Sequence, residues 1–348
     1  MKVDIQKTIS RGIKSILVIY ALVSFSYTIS RLYQQDTALV IRSHQNIVFD
    51  NKPVQPDGLL QSKMFSATMG YSKITPYYMK ATDPIRSKDI TLSTLVTRDR
   101  FPVLSRLASH YKGPISATVH IHHDDTKTLK ELKKWSENED MRRYVDIHLI
   151  IDDYDRQFNL WRNIARLYAL TDYVMMLDID FFPCTDLRQI LNDPKLVQRL
   201  EQNHALVLPA FEYLEPKDYL EFPRTKQALL KEVELQRVDM FHRDWQRGHG
   251  ATDYERWYQA TSAYAVTDYI HSYEPYVIFK RQGSPWCDER FVGYGANKAA
   301  CLYEFYISGM SYFVLTDHFL IHQSHPYPEY TRKKEVTFTI YKLQLISK

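Results

Sequence analysis

Cysteine is scarce: the 348-residue chain has three, Cys184, Cys287 and Cys301. They form no Cys-x-x-Cys pair and no zinc-like spacing, so a cysteine-based metal module is excluded. At most one disulfide can form, leaving one thiol over, and that count does not decide the redox compartment. No Asn-x-Ser/Thr acceptor occurs, so N-glycosylation gives no vote on it either. Internal repeats and low-complexity tracts are absent. Charge of one sign is not in excess: 45 Lys and Arg against 41 Asp and Glu leave +4, and the two signs are interleaved. That pattern speaks against a nucleic-acid partner. Apolar character, by contrast, is plentiful. Hydrophobic residues make up 45% and aromatics 14%, with 26 tyrosines, enough for a sizeable core and against disorder. The length suits one large catalytic domain with a small extra segment.

The extra segment is N-terminal. "SILVIYALVSFSYTIS", Ser15 to Ser30, is uncharged and mostly apolar. It falls short of the roughly 20 residues a membrane span normally takes, but Lys14 and Arg31 can snorkel and extend it. Lys2, Lys7, Arg11 and Lys14 precede it, which puts the N-terminus in the cytosol. No small-x-small cleavage site follows, so a retained signal anchor is favoured over a removed signal peptide. The expected organisation is a cytosolic tail (1–14), a transmembrane anchor (15–31), a stem and irregular lead-in (32–87) and a catalytic domain (88–348).

Strand and helix signals alternate from residue 89. Strands are expected over 89–97, 114–122, 144–151 and 173–180, with helices over 100–111, 128–141 and 158–170. This alternation implies an α/β fold, a mostly parallel central sheet flanked by helices. The second half is less regular: a strand "ALVLPAF", a helix "KQALLKEVELQRV", a loop rich in Trp, His and Gly, a strand "PYVIFKR", a helix "NKAACLYEFYI" and a last strand "SYFVLTDHFLIH".

The stretch that carries chemistry is "YVMMLDIDFFPC", residues 173–184. An apolar strand ending on Asp178 and Asp180 would set two carboxylates on one face, where they repel unless a cation intervenes. Hard oxygen ligands of this kind suit Mn²⁺ or Mg²⁺ with positions left open for phosphates. Such a site belongs at the carboxyl ends of parallel strands. Alone, D-x-D is a weak motif, and a solvated strand end is the plain alternative. "HIHHDD" (120–125) suggests zinc, but His122 and His123, adjacent on a strand, should face opposite ways and not share an ion.

Ordered blocks make the reading more specific: "TLSTLVTRDR", "YKGPIS", "FNLWRNIA", "YVMMLDIDFFP", "LVLPAFE", "GHGATDYERWYQAT", "EPYVIFKR", "DERFVGYGANK" and "FLIHQSHPY". Through them the chain resembles glycosyltransferase family 49, which includes the second catalytic domain of LARGE-type enzymes and β-1,4-glucuronyltransferase, over about residues 88 to 327. The resemblance implies a GT-A fold, a UDP-sugar donor, a Mn²⁺-type ion on the D-x-D, with Mg²⁺ the alternative, and inversion at the anomeric carbon. It further implies a glycan or glycoprotein acceptor, a type II protein of the Golgi membrane with its catalytic domain lumenal, and pairing with itself or another transferase. Glucuronic acid is the donor sugar of the best-known members.

By the same likeness Asp180 is the more direct metal ligand, Asp178 shares the ion and the donor, and His322 completes the set, with His325 its competitor. Asp288 is the candidate general base, since inversion needs a carboxylate opposite the leaving diphosphate. Glu289 is the neighbouring alternative, and a loop carboxylate paired with Arg290 is the plain one. Arg162 and Asn163 are candidate donor contacts, Arg162 through its guanidinium fork. Arg98 and Asp124 are candidate nucleotide contacts, and Asn297 opens a helix whose amides can face an anion. Trp245, His249 and Trp257 are candidates for the acceptor side. Ala296 stands where the family has an aromatic, which leaves donor and acceptor identity open. A catalytically silent, glycan-binding or scaffolding relative is the alternative. A hydrolase is rejected, because two carboxylates on one strand face cannot flank a glycosidic bond.

Overall fold

The computed structural model describes residues 72–154, 156–293 and 295–325. The expected anchor, residues 15–31, lies outside the described residues. Among the described residues no helix is long and apolar enough to cross a membrane.

The strands are β1 Lys73–Met79, β2 Ile90–Val96, β3 Ile115–Ile121, β4 Val145–Ile151, β5 Tyr173–Met176, β6 Phe181–Pro183, β7 Ala205–Leu208, β8 Ala210–Tyr213, β9 Val238–Met240, β10 Tyr264–Ala265, β11 Tyr276–Lys280, β12 Tyr312–Val314 and β13 Leu320–His322. They make a nine-stranded sheet in the order β1-β4-β3-β2-β5-β11-β7-β12-β10 and a four-stranded sheet in the order β6-β13-β8-β9. Strands β2 to β5 are mutually parallel, as the alternation implies. They are rich in Ile, Val, Leu and Thr and almost wholly buried, as strands covered on both faces must be. The rest of the sheet is mixed: β1, β11 and β10 run antiparallel to their neighbours.

Several expected elements are divided. The helix expected over 128–141 is two, Thr126–Trp135 and Glu139–Tyr144, because Asn138 accepts from the Met141 amide and starts a new helix. "ALVLPAF" holds two strands in different sheets. Pro209 between them cannot donate to a ladder, and the chain leaves one sheet for the other there. "SYFVLTDHFLIH" divides likewise into β12 and β13. The lead-in expected to be irregular up to residue 87 contains β1, an edge strand on β4.

Two large apolar clusters fill the space between sheets and helices. One holds Phe101, Leu104, Leu107 and Ile278, the other Phe182, Phe211, Trp257, Phe305 and Phe319. Each such side chain, fully buried, contributes about 1.5–3 kcal/mol. Trp257 is part of this core, 0% exposed, with its indole N–H donated to the Leu315 carbonyl. The expectation that it faces an acceptor is therefore corrected.

Cys287 and Cys301 form a disulfide across 14 positions and Cys184 stays a buried thiol. The bond ties the loop carrying Asp288 and Glu289 to the helix Asn297–Ile307. Closing a loop of this length stabilises a fold by about 3 kcal/mol. Cys301→Ala is expected to lower stability by that order, read as a shift of the denaturant midpoint at unchanged slope. An unchanged midpoint would mean the loop is held without the bond.

Candidate active site

Because β2 and β5 are parallel neighbours, the segments leaving their carboxyl ends meet although they are far apart in sequence. Strand β5 stops at Met176, short of the expected Asp180. A turn follows, closed by the Phe181 amide on the Asp178 carbonyl at 3.0 Å. Strand alternation therefore does not set Asp178 and Asp180 side by side, and each has its own partners.

Asp178 sits in a nest of donors. Its Oδ2 accepts from the Tyr276 hydroxyl at 2.9 Å and from Lys298 Nζ at 3.1 Å, and its Oδ1 from Arg162 Nη2 at 3.5 Å. Burial pushes this carboxyl up, but Lys298 and Arg162 overcome it and hold the group well below the usual carboxylate range. The Lys298 side chain is 6% exposed. Its ammonium also lies over the Tyr276 ring, 3.3 Å from the centroid. Burial pulls that ammonium down, against the pull of Asp178 and Glu274. The helix Phe158–Leu167 turns Asn159, Arg162 and Asn163 inward. Arg162 donates to Asn159 and Asn297, and Asn163 to the Cys287 carbonyl and to Glu289.

Asp180 faces another way. Its Oδ1 pairs with Arg100 Nε at 2.7 Å and its Oδ2 with His325 Nε2 at 3.2 Å. Strand β13 explains the convergence: His322 stands opposite Phe181, and the Gln323 amide donates to the Asp180 carbonyl at 2.7 Å. His322 is buried, and burial pushes its imidazole down to about 4 against the pull of Asp180. The ring is therefore neutral near pH 7, with a lone pair to offer.

The donor set can be tested against a divalent ion on these contacts. Asp180, His322 and His325 supply one carboxylate and two imidazoles, a set that suits Mn²⁺. Asp178 fits less well, since both its oxygens are engaged by cations and a hydroxyl. Among the described residues no three His, Cys, Asp or Glu side chains are gathered into a metal-holding group. The Arg100 guanidinium supplies the positive charge at Asp180, and an ion there must displace it.

Asp288 is clasped by Arg290, whose Nε and Nη2 reach its carboxylate at 2.5–3.0 Å. This hydrogen bonding holds the Asp288 carboxyl below its usual range, which weakens it as a base. Asn297 lies beside Arg162. Arg98 does not enter the site: it pairs with Glu131 at 3.7 Å on the surface. Asp124 is exposed in the turn after β3. Trp245 is 57% exposed, while His249 is buried and stacked on Tyr276. His122 and His123 do not diverge as strand residues would, because β3 ends at Ile121; both approach Asp153, at 4.0 and 3.1 Å.

Arg100, Tyr276, Lys298 and Glu274 were missed by the sequence reading. Burial pushes the Glu274 carboxyl up against the pull of Lys298, with Asp178 raising it further. Arg100 and Lys298 stand inside blocks quoted above, "TLSTLVTRDR" and "GYGANK", but nothing local marks either as the partner of a particular aspartate.

The chain is 34% identical over 248 residues to the xylosyl- and glucuronyltransferase LARGE2 of Mus musculus, covering 70% of this chain and 35% of that protein. To LARGE1 of Homo sapiens it is 32% identical over 244 residues, 69% of this chain and 32% of that protein. The chain thus spans about a third of the length of these relatives. A solved mannosyltransferase of Pyrobaculum calidifontis, in complex with GDP-Man and Mn²⁺, overlays 78% of this chain and 66% of its own at 10% identity, with a TM-score of 0.40. The family model described as "Glycosyl-transferase for dystroglycan" matches residues 89–157 and 151–343, and on that match the chain belongs to glycosyltransferase family 49.

Proposed function

We propose that the chain is a GT-A-type, inverting, divalent-metal-dependent glycosyltransferase that moves a sugar from a UDP-sugar to a glycan or glycoprotein acceptor. The observation that carries this reading is the convergence at the carboxyl ends of β2 and β5. There Asp180 pairs with Arg100 and His325, with His322 on the adjoining strand, and Asp178 pairs with Arg162 and Lys298. Mn²⁺ held by Asp180 with His322 or His325 would supply positive charge to a departing diphosphate. Arg162 and Lys298, nearly buried and held in place by Asp178, are set to receive anionic oxygens of the donor. Glucuronic acid is the sugar to test first. The relatives' names pair xylosyl with glucuronyl transfer, and two fixed cations suit a carboxylate better than a neutral sugar. Deprotonation of the acceptor hydroxyl falls to Asp288 once Arg290 is displaced, or to Glu289. The lumenal Golgi location and the type II anchor over residues 15–31 belong to the same proposal.

A catalytically silent relative is the second reading, and one observation favours it: Arg100, Lys298 and Arg162 already neutralise both aspartates. A donor screen separates the two. UDP release by the full-length chain would be followed with UDP-glucuronate, UDP-xylose and UDP-glucose, simple glycosides as acceptors, and either Mn²⁺ or EDTA. The expected result is turnover with UDP-glucuronate that EDTA abolishes. Binding of neither Mn²⁺ nor UDP would sink the transferase and leave the silent relative.

A further inference from the structure

At the amino ends of the same strands lies a cleft that the proposed reaction does not use. Two adjoining cavities, about 600 and 410 Å³, share Arg86, Asp89, Lys112 and Arg188. Asp89 immediately precedes β2, Lys112 lies just before β3, and Arg143 just before β4. The candidate active site follows the other ends of these strands. Seven residues of β2 at ~3.3 Å each place the two regions about 23 Å apart.

The charges in the cleft are unevenly committed. Its carboxylates are occupied by the protein: Asp83 by a two-point contact from Arg143, Asp89 by one from Arg188, and Asp186 by the Arg188 amide and Gln189. Arg86, Lys88 and Lys112 also line it, are exposed, and form no ion pair among the described residues. Gathering like charges around a concavity is unfavourable by itself and becomes favourable when an anion enters. The lining is mixed: Ile85, Pro114 and Leu191 are apolar, and Thr185, Gln189 and Asn192 add neutral polar groups. The volume falls in the range of small-molecule sites, roughly 300–1,000 Å³, and far exceeds what one inorganic anion fills.

We propose that this cleft is a second, non-catalytic site for an acidic saccharide. Arg86, Lys88 and Lys112 hold its carboxylate or sulfate groups, the neutral polar groups meet its hydroxyls, and Ile85, Pro114 and Leu191 meet the less polar faces of its rings. The site would retain an acidic stretch of glycan while its end is worked on elsewhere.

The test is a titration of the full-length chain with UDP and Mn²⁺ in excess, so that the donor site is filled. The probes are a glucuronate-containing tetrasaccharide, its carboxyl-reduced neutral counterpart, and inorganic phosphate. The acidic tetrasaccharide is expected to bind at least tenfold more tightly than either other probe. Arg86→Glu with Lys112→Glu is expected to weaken it at least tenfold without changing UDP release, whereas Asp180→Asn leaves it unchanged. If the double reversal does not fold, Arg86→Gln with Lys112→Gln, read by the same titration, takes its place. Equal binding of the neutral sugar, equal binding of phosphate, indifference to the substitutions or no binding would each overturn the proposal. None of these outcomes touches the transferase reading, which the donor screen decides separately.

Discussion

Asp180→Asn is expected to lower UDP release by roughly 10²–10³-fold, the scale of losing one preorganised electrostatic contact with developing charge, while costing little stability. Asp180 and its partner Arg100 are 23% and 21% exposed, so water reaches both, and such ion pairs contribute only about 0–1 kcal/mol. The amide keeps the shape of the side chain but lacks the charge that would draw a divalent ion away from Arg100. Turnover and thermal unfolding measured on one preparation give both numbers. Retained turnover would remove Asp180 from the chemistry, and a large fall in melting temperature would make its role structural.

Asp178→Asn reverses that profile at the level of stability. The change leaves Lys298 and Arg162, 5% and 9% exposed, as neighbouring cations without their counter-charge. Removing one partner of a buried pair costs about 3–5 kcal/mol, and the partial exposure of Asp178 points to the lower end, about 3 kcal/mol. At this chain size that corresponds to a melting temperature lower by roughly 6 °C. The pH dependence carries the same signature. The native carboxyl titrates below the roughly 3.9 of an unfolded aspartate, so its stabilisation is complete above about pH 5 and is withdrawn as pH falls through the folded value. The wild-type protein should therefore lose stability between pH 5 and 3 more steeply than the variant does. Parallel pH profiles would show that Asp178 is not the charge that holds Lys298 and Arg162.

These two expectations differ because of contacts that span the chain. Tyr276 and Lys298 stand 98 and 120 positions from Asp178, and Arg100 stands far from Asp180 in sequence. D-x-D spacing shows that two carboxylates are near one another. It cannot show which cations answer them, because that depends on which strand ends the sheet brings together. For Asp288 the sequence left two readings open, a base and a loop carboxylate paired with Arg290, and the side-chain contacts show the Arg290 pairing.

Local order, by contrast, was written in the residues themselves. The β-branched runs of β2, β3 and β4, the helix Phe101–Tyr111 with a proline in its first turn, and the helix Asn297–Ile307 follow from periodicity and propensity, which act over a few neighbouring positions. The parallel half of the sheet follows from their alternation. Where β5 stops, where Pro209 passes the chain between sheets, and how β13 carries His322 and His325 to Asp180 were decided by the tertiary structure alone. Those features depend on strand partners distant in sequence, and a strand ends where its partners end.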